Sequence, residues 1–256
     1  MSEIITFLPL WGWVAAFAVT ITAGIVKGVT GFAMPLVMVS GLALFLDPRL
    51  AVAGIIFPIV VSNTIQALSG GLNGVRDAVA EHWRYLLVVC VMIFLTAQVF
   101  AVLPQRAFYF VLGIPVTLLS VIQLIGWRPK MPAGRRRAFE WTIGGFAGMM
   151  GGFAGTWGPP TVLYLLALEV PRATSIIVQG VVYGLGSYTL MAGHVVSGIL
   201  TWETVPFTAI LILPAVVGLR LGMRFGQDLD PEKFRRIMLI VLVIAGLNML
   251  RRGFFG

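Results

Sequence analysis

The sequence predicts an all-α polytopic membrane protein made of two inverted repeats. Each repeat would hold about four to five helical segments and a broken or re-entrant glycine-rich turn. The composition, a series of apolar runs and a duplicated motif carry this prediction. Hydrophobic residues make up 59% of the 256 residues and charged residues 11%, whereas a soluble domain has about a quarter of its residues charged. The mean hydropathy is +0.97.

Ten apolar segments follow one another along the chain. A bilayer-spanning helix takes about 20 apolar residues, and several segments reach that length. Segment 159–168 is too short to cross at about 1.5 Å rise per residue, so we expect a re-entrant hairpin with 139–155. The ten segments are 8–26, 32–46, 49–69, 83–103, 106–127, 139–155, 159–168, 173–197, 204–225 and 234–250.

A basic break divides the ten segments five and five. Residues 128–137 contain five basic residues and no acidic one, which is typical of a cytoplasmic loop. We interpret them as a basic cytoplasmic linker between a first membrane repeat, 1–127, and a second, 138–256, within one multi-pass domain of the inner (cytoplasmic) membrane. An odd segment count gives the repeats opposite orientations. On this count Arg251 and Arg252 fall outside, against the charge rule.

The remaining composition argues against several classes of protein. The net charge of +8 does not indicate nucleic-acid binding, because the basic residues cluster between apolar runs. Cys90 is the one cysteine, so no intramolecular disulfide is expected, and no Cys/His cluster predicts a metal site. No Walker motif is present, so ATP hydrolysis is not expected. We therefore expect no cofactor and no metal.

An internal repeat supports the division into halves. Its ordered glycines and prolines make the duplication more specific than any single match. Ala23-Gly24, Gly28, Gly31 and Pro35 match Ala147-Gly148, Gly152, Gly155 and Pro159 at an offset of 124. Pro48-Arg49 matches Pro171-Arg172, and Gly70 matches Gly193, at an offset of 123.

The first glycine-rich turn, 24–35, predicts an anion site. Glycines leave backbone groups accessible, and Pro35 suits the first turn of a new helix, whose N-terminus favours an anion. A charge within a membrane usually has a function. The alternatives are glycine-mediated helix packing and a Lys27 side chain that snorkels to water. The residues expected to line the site are Lys27, Gly28, Thr30, Gly31 and Phe32.

The second turn, 148–160, is the repeat partner and has no lysine. Its expected lining residues are Gly155, Thr156, Trp157 and Gly158, with Gly24, Pro35, Gly148, Gly152, Pro159 and Pro160 as structural residues of the two motifs. Pro159-Pro160 predicts extended backbone before the next helix. The alternative for Trp157 is an interfacial anchor.

Two polar stripes lie in equivalent segments after the turns. Asn63 and Gln66 stand at helical spacing in the first, and Gln179 and Tyr183 in the second. They are expected to line one cavity, and the alternative is hydrogen bonding between helices.

The paired turns Gly24-x-x-x-Gly28-x-x-Gly31-x-x-x-Pro35 and Gly148-x-x-x-Gly152-x-x-Gly155-x-x-x-Pro159 resemble those of the TauE/SafE family of sulfite exporters and related anion permeases. The resemblance covers nearly the whole chain, including the basic linker. It implies membrane transport of sulfur-containing anions such as sulfite, sulfonates or thiosulfate. The chain departs from the family in Phe32-Ala33-Met34, where further glycines are frequent, and Lys27 is not part of the family pattern.

The leading hypothesis is therefore a secondary transporter, an exporter, of a small sulfur-containing anion by alternating access. Its partners would be the anion, the lipid bilayer and a coupling ion that no residue identifies. The alternatives are an anion channel, an intramembrane enzyme, and a scaffold subunit of a larger complex. The lack of embedded acidic residues and of a His cluster argues against the enzyme, and the broken turns argue against the scaffold.

Overall fold

The computed structural model describes residues 8–127, 131, 134–225 and 231–255. It is about 85% helical, without strands in the described residues, which confirms the predicted all-α membrane fold. The first half contains five helices, one for each predicted apolar segment. They are α1 (Leu10–Thr30), α2 (Met34–Leu42), α3 (Pro48–Leu68), α4 (Gly71–Val102) and α5 (Gln105–Ile125).

Helix α4 begins at Gly71, well before the predicted residue 83. Its backbone leaves helical geometry at His82 (φ −109°, ψ 19°), where a first arm joins the membrane-spanning part. The arm carries Arg76, Asp77 and Glu81, so a search for apolar runs does not detect it.

The second half repeats the order, with one helix divided. Its helices are α6 (Arg136–Ala154), α7 (Gly158–Ala167), α8 (Arg172–Val196), α9 (Val205–Ile210), α10 (Ile212–Phe225) and α11 (Pro231–Phe255). The ninth predicted segment is interrupted at Leu211, because Pro214 has no N–H for the carbonyl of Ile210. By length and composition, six stretches of the described chain can span a membrane: α1, α3, α4, α5, α8 and the α9–α10 stretch.

The helices pack in pairs that correspond between the halves. Helix α1 packs along α10, and α6 packs along α4, so the first helix of each half lies against the other half. Helices α3 and α8 form a third pair, and α5 and α11 a fourth. When each helix is replaced by its counterpart in the other half, the pair of α1 and α10 becomes the pair of α6 and α4. The pairs α3–α8 and α5–α11 become themselves. A repeat requires this pattern. The inversion of one half relative to the other stays a prediction.

Arg252 has a structural reason for lying opposite the basic linker. Its guanidinium donates to the carbonyl oxygens of Ala43 (2.5 Å) and Leu44 (3.2 Å), which follow the end of α2. A cation at a helix C-terminus is favourable and satisfies unpaired carbonyls. Arg106, at the start of α5, donates to Gly253 O at 2.7 Å at the same end of the bundle. The linker follows the other end of α5.

Candidate functional site

The two glycine-rich turns break the helices at equivalent residues. Helix α1 ends at Gly31 (φ 80°), whose N–H donates to Lys27 O at 2.7 Å. Helix α6 ends at Gly155 (φ 68°), whose N–H donates to Gly151 O at 2.7 Å. Only glycine adopts this left-handed conformation without strain. Ala33 also has a left-handed φ, 71°, at a cost in strain, and nothing in the sequence indicated it.

The earlier glycines of each motif pack helices together. A Cβ atom built on Gly28 would lie 2.5 Å from the carbonyl oxygen of Leu219 on α10. One built on Gly152 would lie 2.4 Å from that of Ile93 on α4. Gly24 and Gly148 make the same kind of backbone approach to α10 and α4. The alternative of glycine-mediated helix packing therefore holds for the first two glycines of each motif. Among the motif glycines, Gly31 and Gly155 adopt the left-handed conformation.

The prolines lie inside the short helices. Pro35 is in the first turn of α2, as predicted. The expectation of extended backbone at Pro159-Pro160 before the next helix is wrong, because α7 begins at Gly158 and includes both residues. The N–H groups of a first turn have no acceptor within the helix, so proline is tolerated there.

The two breaks meet in the interior of the protein. A Cβ atom on Gly155 would lie 3.1 Å from Pro35 Cβ, and one on Gly158 would lie 3.5 Å from Phe32 Cβ. Between the breaks lies a cavity of about 20 Å³, called the central cavity here, with room for about one water molecule. It is lined by Lys27, Phe32, Ala33, Pro35, Leu36, Asn63, Gly155, Thr156, Trp157, Gly158, Pro159 and Tyr183.

Lys27 brings a positive charge to the central cavity. Its side chain is buried, with 3% of its surface exposed, and its ammonium donates to Asn63 Oδ1. The ammonium lies 5.6 Å from the centroid of the Tyr183 ring, and Asn63 Nδ2 donates to Tyr183 O at 3.0 Å. None of the ion pairs among the described side chains includes Lys27. An unpaired buried charge is costly, and a bound anion would offset that cost.

Backbone amides at both breaks add partial positive charge. The N–H groups of Ala33 and Met34 precede or begin α2, and those of Thr156, Trp157 and Gly158 precede or begin α7. In the described structure these five amides have no backbone acceptor. Unpaired amides at helix N-termini favour anions, and both short helices begin at the central cavity.

The two threonine hydroxyls bond to the backbone. Thr30 Oγ1 lies 2.8 Å from Val26 O and 3.0 Å from Phe32 O, and it accepts from Phe32 N–H at 3.4 Å. Thr156 Oγ1 donates to Met150 O at 2.9 Å. In this conformation both hydroxyl protons are used to hold the breaks. A role of either threonine in binding stays a prediction.

A much larger cavity of about 1030 Å³, called the vestibule here, adjoins the central cavity. Lys27 and Phe32 line both cavities. Of the other residues predicted from sequence, Gly28, Thr30, Gly31, Gln66 and Gln179 line the vestibule, and the rest line the central cavity.

Gln123 and Arg236 are among the polar vestibule residues that the sequence analysis missed. Gln123 is 5% exposed, and neither of its amide atoms has a described partner. It interrupts the apolar run 106–127, which was a usable signal. Arg236 lies near the start of α11 and also lines the vestibule. Trp127, the last described residue before the basic linker, lines the same space.

Comparison with known proteins adds the family. A family model described as sulfite exporter TauE/SafE matches residues 16–249, which include both glycine-rich turns and the linker. Searches of curated proteins and of solved structures returned no significant match. The family is one of membrane transporters, in agreement with the apolar helices. Because the match spans nearly the whole chain, this protein belongs to the TauE/SafE family of sulfite exporters.

Proposed function

We propose that the chain is a secondary transporter, an exporter, that carries a small sulfur-containing oxyanion such as sulfite, a sulfonate or thiosulfate. The observation that carries the proposal is the buried Lys27 side chain at the cavity where the two helix breaks meet. An oxyanion would supply the missing negative charge, and its oxygens would accept hydrogen bonds from the ammonium and the unpaired amides. Membership in the TauE/SafE family supports a sulfur-containing anion.

Alternating access is the mechanism that the cavities favour. The anion would enter from the vestibule and reach Lys27 between Phe32 and Asn63. The central cavity holds about one water molecule, so the hairpins must move apart to admit the anion and again to release it on the other side. Two hairpins related by an inverted repeat would exchange the vestibule between the membrane faces. Counterflow in proteoliposomes distinguishes this carrier from an anion channel, which shows none.

The vestibule would open to the cytoplasm in this conformation, because Trp127 and Arg236 line it and the basic linker follows Trp127. Gly134 is exposed within the linker region. In a Cys90→Ser background, we expect Gly134→Cys to react with a membrane-impermeant thiol reagent only after the cells are permeabilised. Labelling in intact cells would contradict the orientation.

Binding tests the proposal directly. The thermal stability of the purified protein is measured with sulfite, thiosulfate, sulfate, taurine, sulfoacetate and small carboxylates, and a bound ligand raises the Tm by mass action. We expect a sulfur oxyanion to stabilise the protein selectively. Lys27→Met should weaken that binding by about 30-fold or more, since a buried charged partner contributes about 2–5 kcal/mol.

The Lys27→Met variant should fold, because replacing an uncompensated buried charge with an apolar side chain of similar volume is neutral or stabilising. Arg135→Ala, which removes an exposed charge before α6, is the matched control and should bind like the wild type. Unchanged affinity in Lys27→Met would refute the assigned site.

A further inference from the structure

The surroundings of Lys27 are neutral on the helices that contact it. Helix α3 contributes the amide oxygen of Asn63, and α8 contributes the ring of Tyr183, the titratable side chain in contact with the ammonium. Helix α2, which packs against α1, contains no titratable residue. The ammonium is therefore solvated by one carbonyl dipole and one aromatic face.

The described charged groups on the other helices packed against α1 do not compensate Lys27. Helix α10 carries Arg220 and Arg224, both exposed, and α11 carries Lys233 and Arg236 near the vestibule. The described side chains of these two helices are all basic where they are charged. Elsewhere, the buried carboxylate of Glu140 forms ion pairs with arginines of α4 and α6. The described side chains therefore offer Lys27 no carboxylate partner.

This arrangement makes the occupied and empty sites electrically different. With a bound oxyanion, the ammonium has a counter-ion. Without it, the site holds an isolated buried cation, and a buried lysine escapes that cost by releasing its proton. The isolated cation is most costly when the carrier closes around an empty site, because water is then excluded.

Water can receive the proton in the conformation seen here. Lys27 lines the vestibule of about 1030 Å³ as well as the central cavity. Lys27 therefore lies at the boundary between a space large enough for many water molecules and the point where the breaks meet.

We propose that the proton is a second substrate of this transporter, carried on Lys27 Nζ together with the anion. On release of the anion, one N–H bond of the ammonium breaks, the proton passes to water, and the electron pair stays on the nitrogen. The empty site changes sides as the neutral amine and gains a proton with the next anion. A monovalent anion then crosses without net charge, and a divalent anion carries one negative charge. This inference rests on the proposed function.

The test uses thiosulfate, a divalent anion that does not titrate near neutral pH, so any proton movement belongs to the protein. Purified wild type and Lys27→Arg are placed in liposomes containing a pH-sensitive dye, with the membrane potential clamped. Exchange is measured as uptake of labelled thiosulfate against internal unlabelled thiosulfate. Net uptake is measured into thiosulfate-free liposomes. The guanidinium of arginine stays protonated at every working pH.

We expect the wild type to perform both reactions and to acidify the lumen by one proton per thiosulfate during net uptake. Lys27→Arg should retain exchange but lose net uptake by at least about tenfold, because its empty site cannot discard the charge. Net uptake by the wild type without acidification would overturn the inference and leave the proposed function intact. Absence of wild-type exchange with thiosulfate, and equally with sulfite and a sulfonate in its place, would overturn both. If Lys27→Arg also loses exchange, the wild-type proton count decides alone.

Discussion

The two halves of the molecule share a broken hairpin and fill it with opposite chemistry. In the first half, Lys27 on α1 donates to Asn63 on α3. The repeat places Gly151 and Gly186 at the equivalent positions of the second half, and the indole of Trp157 lies between them. A Cβ atom on either glycine would lie 2.9 Å from an indole carbon. A lysine–asparagine pair in the first half thus corresponds to an aromatic ring in the second half.

The difference shows how a repeated backbone can hold an asymmetric site. Ala33 stands where the repeat has Trp157, and this small side chain leaves room for the lysine and its partner. In the second half the indole takes that room, so no long polar side chain can occupy it. The duplicated turns supply unpaired amides from two directions. The side chains add a cationic pole, Lys27 with Asn63, and an aromatic pole, Trp157. A single small anion that binds as proposed would therefore have a defined orientation.

The largest expected effects distinguish the two breaks, because a side chain has more room at Gly31 than at Gly155. Both Gly31→Leu and Gly155→Leu should abolish thiosulfate exchange, because leucine is strained at positive φ and blocks approach to the amides. Asparagine tolerates the left-handed conformation, so Gly31→Asn should retain exchange: a Cβ there meets only Gln66 Nε2, at 3.8 Å. Gly155→Asn should remain inactive, because its Cβ would lie 3.1 Å from Pro35 and 3.2 Å from Ile55.

Gly198→Leu is the matched control for backbone strain. Gly198 has φ 76° and no atom within 4 Å of a Cβ, and it lines neither cavity. It should transport normally and insert into the membrane as the other variants do. Normal transport by both leucine variants at the breaks would mean that these turns serve packing alone.

The next largest effect is expected from a substitution that converts the cationic pole into an ion pair. Asn63→Asp would give Lys27 a permanent carboxylate partner that competes with the anion. We expect the Tm to rise by about 2–4 °C for each kcal/mol gained, and anion affinity to fall by about 30-fold or more. Gln66→Glu adds the same charge three residues later, in the vestibule, and should lower affinity less. Equal effects of the two variants would indicate general repulsion instead of competition for Lys27.

Much of the fold was predictable because its signals are local. All ten apolar segments are helical, and Gly31 and Gly155 break their helices because positive φ selects glycine. The kink at His82 and the charged arm before it were missed, since an amphipathic arm leaves no long apolar run. The left-handed Ala33 had no sequence signal, because its conformation depends on the surrounding packing.

The predicted site residues all line one of the two cavities, but their individual contacts depended on tertiary structure. Thr30 bonds to Phe32 O and Thr156 to Met150 O, two contacts that only the folded break brings within reach. Gly186 gave no sequence signal at all, because its importance arises from Trp157, which is distant in the chain and folds onto it. Roles in substrate binding stay predictions for every one of these residues.

The smallest expected effect tests the aromatic pole. Gly186→Ala would place a methyl group 2.9–3.1 Å from three indole atoms of Trp157. The rigid ring, which lines the central cavity, must then shift, and overpacking of this kind costs about 1–3 kcal/mol. We expect thiosulfate exchange to fall by roughly tenfold while the protein remains folded, with the loss measured as an initial rate in proteoliposomes.

Gly184→Ala, on the same helix, is the matched control, because its Cβ would make an ordinary contact of 3.5 Å with Ala67 Cβ. It should exchange thiosulfate at the wild-type rate. Adding Trp157→Phe to Gly186→Ala should restore part of the lost rate, since the smaller ring makes room for the methyl group, and contacting residues couple in this way. If Gly184→Ala and Gly186→Ala exchange thiosulfate at the same rate, the position of the Trp157 indole does not affect transport. The asymmetry between the halves would then reside in Lys27 and Asn63 alone.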